Sequence, residues 1–395
     1  MLLTDRGLLL RLLGCEHKGR THQHRGKQGR SQATQSTALA NRGVDAAIAS
    51  TSRQHGHLRG HHGKTGTSHG CNATDTFVLM PETLVNRCRS LPAGSTLCIL
   101  GAGFSGRRVA ALAEALNIRV LTTRRNPDPE SRALRFDTAQ NVLPTDAELN
   151  GVTHLLSTIP PGRDQNDPVL RTLGSQLSQL PLRWAGYLST TGVYGDTGGA
   201  WVSEADAPQP SQERSRRRMI CEQEWLNSGL PVQILRLPGI YGPGRSPLTA
   251  VKAGTLKPVH KPGQVFCRVH VDDIAAACLH LMHCSAAGQH PRVVNLCDHE
   301  PAPSHVIQRH AADLLDCELP ETRNYSDAEA DMSSMARSFW AENRRVSNDL
   351  LCKTLGYTMV HPTFRSGLAH CLEVECLKAS PPRSTPNRAE ESESS

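Results

Sequence analysis

Apolar residues recur along this chain in two rhythms. Leu97 to Leu100 is a short unbroken apolar run, as a strand buried on both faces requires. From Arg107 to Leu116 the apolar positions are Val109, Ala110, Leu112, Ala113 and Leu116, the spacing of one helix face. Ile118 to Thr122 reads as a second strand. Further short runs follow at Ala133 to Phe136, Val152 to Ser157, Trp184 to Ser189, Pro231 to Leu237 and Arg292 to Leu296. Helical stretches lie between them at Pro168 to Leu180, Arg214 to Ser228 and Ile274 to Met282. Strand alternating with helix at this spacing predicts an α/β fold, a Rossmann-type doubly wound parallel sheet.

The first strand runs straight into Gly101-Ala-Gly103-Phe104-Ser105-Gly106. Gly101 permits the tight turn, Gly103 lets the backbone approach a pyrophosphate, and Gly106 lets the helix pack close to the strand. The helix N-terminus offers free N–H groups and partial positive charge to the phosphates. Dinucleotide binding is therefore expected, with Phe104 and Ser105 at the same turn. The competing reading is a glycine turn that binds nothing. The second strand leads to Thr122-Thr123-Arg124-Arg125, with no acid until Asp128. An NAD site usually places Asp or Glu there for the ribose 2′-OH, whereas guanidiniums suit a 2′-phosphate. NADP(H) is expected ahead of NAD(H), against arginines that merely face solvent. Asp137, after the third strand, either reaches an adenine amine or caps a helix from Thr138. Thr158 follows the fourth strand, at the carboxyl edge where open α/β sheets bind ligands.

Composition changes the picture mainly at the ends. The chain has 395 residues and a formal charge of +7. Residues 1–72 hold 11 Lys/Arg against 3 Asp/Glu, which leaves 33 against 34 for the remainder. The basic character thus belongs to an N-terminal arm, residues 1–75, rich in Gly, Ser, Arg and His and expected to be disordered. The arm reads as an extension without a specific role, or as a transit peptide for an organelle. A lipoprotein cleavage site at Leu12-Leu13-Gly14-Cys15 is rejected because Arg11 interrupts its apolar run. Its histidines, among them His55, His57, His61, His62 and His69, could take up metal adventitiously. Without aromatic interleaving for base stacking, the arm argues against nucleic-acid binding. The tail from 379 to 395 is also expected to be disordered.

The thirteen Cys form no CxxC pair, and Cys371 and Cys376 lack a usual zinc spacing. They read as reduced thiols, no metal is expected, and the protein is placed in the cytoplasm unless the arm directs it to an organelle. No run of eighteen apolar residues occurs, so no membrane span is expected.

Three further motifs appear in order: Ser189-Thr190-Thr191-Gly192-Val193-Tyr194-Gly195, Arg236-Leu-Pro-Gly-Ile-Tyr-Gly-Pro-Gly244 and Arg268-Val-His270-Val-Asp272-Asp273-Ile-Ala275. With the glycine turn they resemble the extended and atypical short-chain dehydrogenases/reductases, the NAD(P)-dependent nucleoside-diphosphate-sugar epimerase/dehydratase-like proteins. Arg345-Val-Ser-Asn348, Leu355-Gly-Tyr357 and Pro362-Thr-Phe-Arg-Ser-Gly367 look like that branch's C-terminal segment. The resemblance covers about residues 94–375. It implies a small C-terminal substrate-side subdomain within 239–375, a small-molecule substrate such as a nucleotide-sugar, and a homodimer.

The resemblance also implies a catalytic Ser/Thr, Tyr and Lys. Thr190 stands at the Ser/Thr position. Glu222 fits a Glu four residues beyond the Lys, and counting back puts Arg218 at the Lys position and Arg214 at the Tyr position. An Arg cannot serve as a general base near neutral pH. Tyr194, Tyr241 and His270 are weighed as substitutes, but all three suit structural roles better, and Asp273 is expected to cap or anchor its helix. The arginines Arg214, Arg216, Arg217 and Arg218 either bind a phosphorylated substrate or cofactor, or form a solvated helix face. Two functions therefore compete: an epimerase/dehydratase-like oxidoreductase, and a catalytically weak NADP(H)-binding sensor that acts through a partner.

Overall fold

The computed structural model describes residues 81–162 and 166–379. The expectations for the arm, its histidines and the tail beyond Ala379 lie outside the described residues. A seven-stranded parallel sheet forms the centre. Its strands are β1 (Thr96–Leu100), β2 (Arg119–Arg124), β3 (Leu134–Arg135), β4 (His154–Ser157), β5 (Trp184–Thr190), β6 (Val232–Leu237) and β7 (Val293–Asn295). Their order is β7-β6-β5-β4-β1-β2-β3. The chain therefore works outward from β1 to β3 and then returns to place β4 on the other side of β1. That reversal opens a crevice at the carboxyl ends of β1 and β4, where α/β sheets bind ligands.

Six longer helices accompany the sheet: α1 (Phe104–Ala115), α2 (Pro168–Leu177), α3 (Glu213–Leu226), α4 (Val271–Ala286), α5 (Ser304–Leu314) and α6 (Phe364–Ala379). One face of the sheet is covered by α1 and α4, whose Val109, Leu112, Ile274 and Leu281 are buried in a single cluster with Leu97 and Ile99. The other face carries Leu173 and Leu177 of α2 and Cys221 and Trp225 of α3 against Cys98, Leu155 and Tyr187. Every residue of β1 is buried, which is why its sequence is a continuous apolar run.

A third cluster lies within residues 241–372. Tyr241, Leu248 and Val251 pack there with Ile307 and Ala311 of α5 and Phe364 and Leu368 of α6. Three two-residue or three-residue parallel pairs tie distant segments together: Gly239–Tyr241 with Arg268–His270, Trp201–Val202 with Arg345–Val346, and Val259–His260 with Arg323–Asn324.

Several boundaries differ from the sequence reading for local reasons. The helix expected from Ile274 begins at Val271, because His270 Nδ1 accepts the Asp272 N–H and Asp272 and Asp273 occupy the first turn. No helix starts at Thr138. The backbone instead forms a bridge between Asp137 and Val142, and Asp137 Oδ1 accepts the Ala139 N–H at 3.1 Å. Asp273 anchors a loop more than it caps its helix, accepting from the backbone N–H groups of Val360 (2.6 Å) and His361 (2.9 Å). The cysteines described are all free thiols, six of them buried. Among the described residues no helix is long and apolar enough to cross a membrane.

Candidate active site

The glycine turn between β1 and α1 is held by threonines from the neighbouring strands. Thr123 Oγ1 accepts the Gly101 N–H at 3.0 Å, and the Thr123 carbonyl accepts the Ala102 N–H at 2.8 Å. Thr158 Oγ1 donates to the Gly101 carbonyl. Gly101 has φ +84°, and a Cβ there would lie 2.6 Å from Ile159 Cγ1, so turn and packing both demand glycine. A Cβ on Gly106 would meet Ile99 Cγ2 at 3.1 Å, as expected where helix and strand pack closely.

Gly103 is different. The nearest heavy atom to a Cβ there is the Gly101 carbonyl oxygen at 3.8 Å, an ordinary contact. The protein's own packing does not require glycine at this position. The side chain it lacks would project where Gly103 lines a cavity of about 490 Å³, with Gly101, Ser105, Arg124, Thr158 and Arg218 also on its wall. No side chain caps the N-terminus of α1, which leaves backbone donors at the same place. The residues present therefore fit a dinucleotide cofactor.

The cofactor-discriminating end differs from expectation in one respect. Arg124 is not free: its Nη1 pairs with Asp128 Oδ2 at 2.7 Å. Arg125 is exposed, and both arginines border the cavity. Asp137 is buried in its own turn and is absent from the cavity wall, where its neighbours Phe136 and Thr138 stand instead. The structure thus corrects the helix-cap reading of Asp137. Arg245, which the sequence reading passed over, lies 5.1 Å above the Phe104 ring and lines the same cavity. It belongs to a loop remote in sequence, and no local pattern marks it.

A second cavity of about 700 Å³ adjoins the first, sharing Pro160 and Arg218 with it. Thr190, Arg214 and Arg218 all reach its wall, so the three residues read as catalytic from the sequence do converge. Thr190 ends β5, and its Oγ1 accepts the Gly192 N–H at 3.1 Å, which leaves its own proton available to a ligand. Arg218 stands at the junction of the cavities. It donates to the Tyr187 hydroxyl at 2.9 Å and to the Leu188 carbonyl at 3.1 Å. Arg214 turns toward the C-terminal part of the chain, donating to Ser338 Oγ at 2.9 Å with its guanidinium 4.3 Å from the Phe339 ring centre.

The frame behind these residues is a buried ion pair. Glu222 accepts from Arg236 Nη2 at 2.7 Å and from the Ser189 hydroxyl. This joins α3 to β5 and β6 one turn beyond Arg218. The Glu222 position read from the sequence is thus a structural brace.

None of the proposed tyrosine substitutes borders either cavity. Tyr194 donates to Asn295 Oδ1 at 2.8 Å beneath the Arg236 guanidinium, and Tyr241 is buried in the third cluster. His270 is wholly buried at the start of α4. Tyr187 touches Arg218, but burial holds its pKa well above the usual phenol value, against the pull of that guanidinium. The large cavity is instead cationic. Arg217, Arg268 and Arg344 join Arg214 and Arg218 on its wall, and Glu342 already accepts from Arg344 at 2.7 Å. Arg268 Nε is buried without a hydrogen-bond partner. Its neighbour Asp298 is pushed up to about 8 by burial, which outweighs the attraction of Arg268. The same burial lowers the Arg268 pKa, against the attraction of Asp298.

Similar proteins agree with this layout. No family model matches the chain. A conserved protein of unknown function from Silicibacter pomeroyi DSS is 38% identical, with a TM-score of 0.64 over 71% of this chain and 98% of that one. Human epimerase family protein SDR39U1 (isoform 2), solved with NADPH, is 17% identical with a TM-score of 0.56 over 70% of this chain and 99% of that one. UDP-glucuronic acid 4-epimerase from Bacillus cereus, solved with NAD, is 16% identical with a TM-score of 0.56 over 72% and 98%. Protein YeeZ of Escherichia coli is 30% identical over 182 residues, 45% of this chain. The chain spans 58% of the length of that curated relative.

Proposed function

We propose that this chain, which belongs to the epimerase/dehydratase-like branch of the extended short-chain dehydrogenase/reductase superfamily, binds NADP(H) in preference to NAD(H) and acts as an oxidoreductase or epimerase on a small anionic alcohol such as a nucleotide-sugar. The observation that carries the reading is the meeting of two cavities at Arg218, one bounded by the open side of Gly103 and the other by Thr190 and five arginines.

Gly101, Gly103 and the first turn of α1 would hold the pyrophosphate, with Phe104, Ser105 and Thr158 around it. Arg125 would meet a 2′-phosphate, aided by Arg124 if Asp128 releases it. The cofactor, when bound, supplies or accepts hydride. Thr190 donates its hydroxyl proton to the reacting substrate oxygen and orients it. Arg218 stabilises negative charge on that oxygen at the junction. It does not take up a proton. Arg214, Arg217 and Arg268 bind the anionic end of the substrate. Water entering the open cavity carries the proton that a tyrosine moves elsewhere in the superfamily, so slow turnover is expected.

The missing tyrosine also favours a second reading, an NADP(H) sensor with little turnover that works through a partner. The test is a fluorescence titration of the protein with NADPH and NADH, followed by nucleotide-sugars with product analysis. Arg124→Ala combined with Arg125→Ala should weaken NADPH by about tenfold to 100-fold and leave NADH nearly unchanged, a loss of one charged phosphate contact. Equal weakening of both cofactors would remove the NADP(H) assignment. Thr190→Ala should lower turnover by roughly tenfold or more at unchanged cofactor affinity. Cofactor binding with no product from any anionic alcohol would favour the sensor.

A further inference from the structure

Beside α1, three histidines from separate parts of the chain meet. His270 opens α4, His361 follows the loop anchored by Asp273, and His370 lies in α6. One ring nitrogen of each lies within 4.8 Å of the other two, a grouping found among the described residues only here. His270 is fully buried and His361 is 7% exposed. Asp272 reaches into the group, its Oδ2 lying 3.3 Å from His370 Nε2 and 3.7 Å from His361 Nε2. Neither of those two ring nitrogens makes a hydrogen bond, although both are buried.

Two imidazole nitrogens facing one carboxylate, with a third imidazole beside them, are a donor set suited to a metal ion. Ligands about 2.0–2.1 Å from a tetrahedral ion stand roughly 3.4 Å apart, close to the two carboxylate distances here. Imidazole and carboxylate donors suit Zn²⁺ among the available divalent ions. Asp272 is itself oriented from behind: Arg108 of α1 pairs with both of its oxygens, Nη2 standing 3.1 Å from Oδ2. Such an outer contact fixes a ligand's position. His370 is the most exposed of the three histidines.

We propose that Asp272, His361 and His370, with His270 packed beside them, form a binding site for a divalent cation of the zinc type. The ion fastens the C-terminal helix α6 and the segment before it to α4. Through Asp272 and Arg108 the fastening extends to α1, the helix that begins at the glycine turn. None of the three histidines lines either cavity, and the site does not depend on the reaction proposed above. The sequence reading missed it because the ligands share no short spacing and come from three elements.

The test uses the full chain, stripped with a chelator and then titrated with Co²⁺. Wild-type protein should develop the visible absorption of four-coordinate cobalt, saturate at about one equivalent and lose the band when Zn²⁺ is added. Zn²⁺ alone should raise its thermal midpoint. His361→Ala combined with His370→Ala should bind about one equivalent less and show no such band, while histidines of the arm remain in both proteins as a control. His370→Asn, at the most exposed ligand, serves as a milder variant should the double substitution fail to fold. Equal metal content in wild type and variants, or cobalt uptake without the four-coordinate band, would overturn the site and leave the histidines as partners of Asp272 only.

Discussion

Gly103→Ala should leave the protein folded and weaken nucleotide binding by about 100-fold, or roughly 3 kcal/mol. The added methyl meets nothing closer than 3.8 Å inside the protein, so the thermal midpoint should move little. It enters the cavity at the point where a pyrophosphate must approach the backbone of the turn. Gly101→Ala is the informative contrast. There φ is +84° and the methyl would stand 2.6 Å from Ile159 Cγ1, so this change should cost about 1–3 kcal/mol of stability as well as binding. Titration with NADPH beside thermal melts separates the two effects. Wild-type affinity in Gly103→Ala would move the phosphate site away from this turn.

Glu222→Ala carries the largest expected loss of stability, about 3–5 kcal/mol. Glu222 and Arg236 are 0% and 3% exposed. Removing the carboxylate strands a buried guanidinium whose Nη1 already lacks a partner, and it deprives Ser189 of its acceptor. A buried pair gains little over two apolar residues, but breaking half of it is expensive because the surviving charge cannot reach water. Urea midpoints of Glu222→Ala and Glu222→Gln should both fall, the alanine variant further. A loss below about 1 kcal/mol in both would mean that the site relaxes to hydrate Arg236, and α3 would then not depend on this brace.

The parts of this molecule that sequence made legible are those whose cause is local. β1 reads as a strand because it is buried on both faces, and Gly101 reads as a turn because its backbone needs a positive φ. The wall positions of Thr190, Arg214 and Arg218 were legible because strand ends and helical spacing fix where side chains point. What escaped is decided by how turns fold the chain back and by contacts made only in the folded state. Asp128 neutralises Arg124, and only coordinates show that its carboxylate folds back across the turn. Asp137 caps no helix because Val142 offered the backbone a bridge instead. Arg245 and the histidine group have neighbours but no pattern. The same holds for Arg268, whose significance comes from an unpaired Nε and a neighbouring carboxyl whose pKa burial raises.

The short parallel pairs that stitch remote segments together have a consequence in time. The glycine-turn cavity draws on residues no later than Arg245, while the neighbouring cavity needs Phe339, Glu342, Arg344 and Val346. A chain emerging N-terminus first therefore holds every wall residue of the one roughly a hundred residues before the other can close, a lag of about 5–20 s at ordinary synthesis rates. The pairing of Trp201–Val202 with Arg345–Val346 spans that interval and is a slow, high-separation contact by its topology. Until it forms, the arginines of α3 face water without their opposite wall. The order in which the walls become available is thus the glycine-turn cavity first and the arginine-lined cavity last, written into the chain by where each wall is encoded.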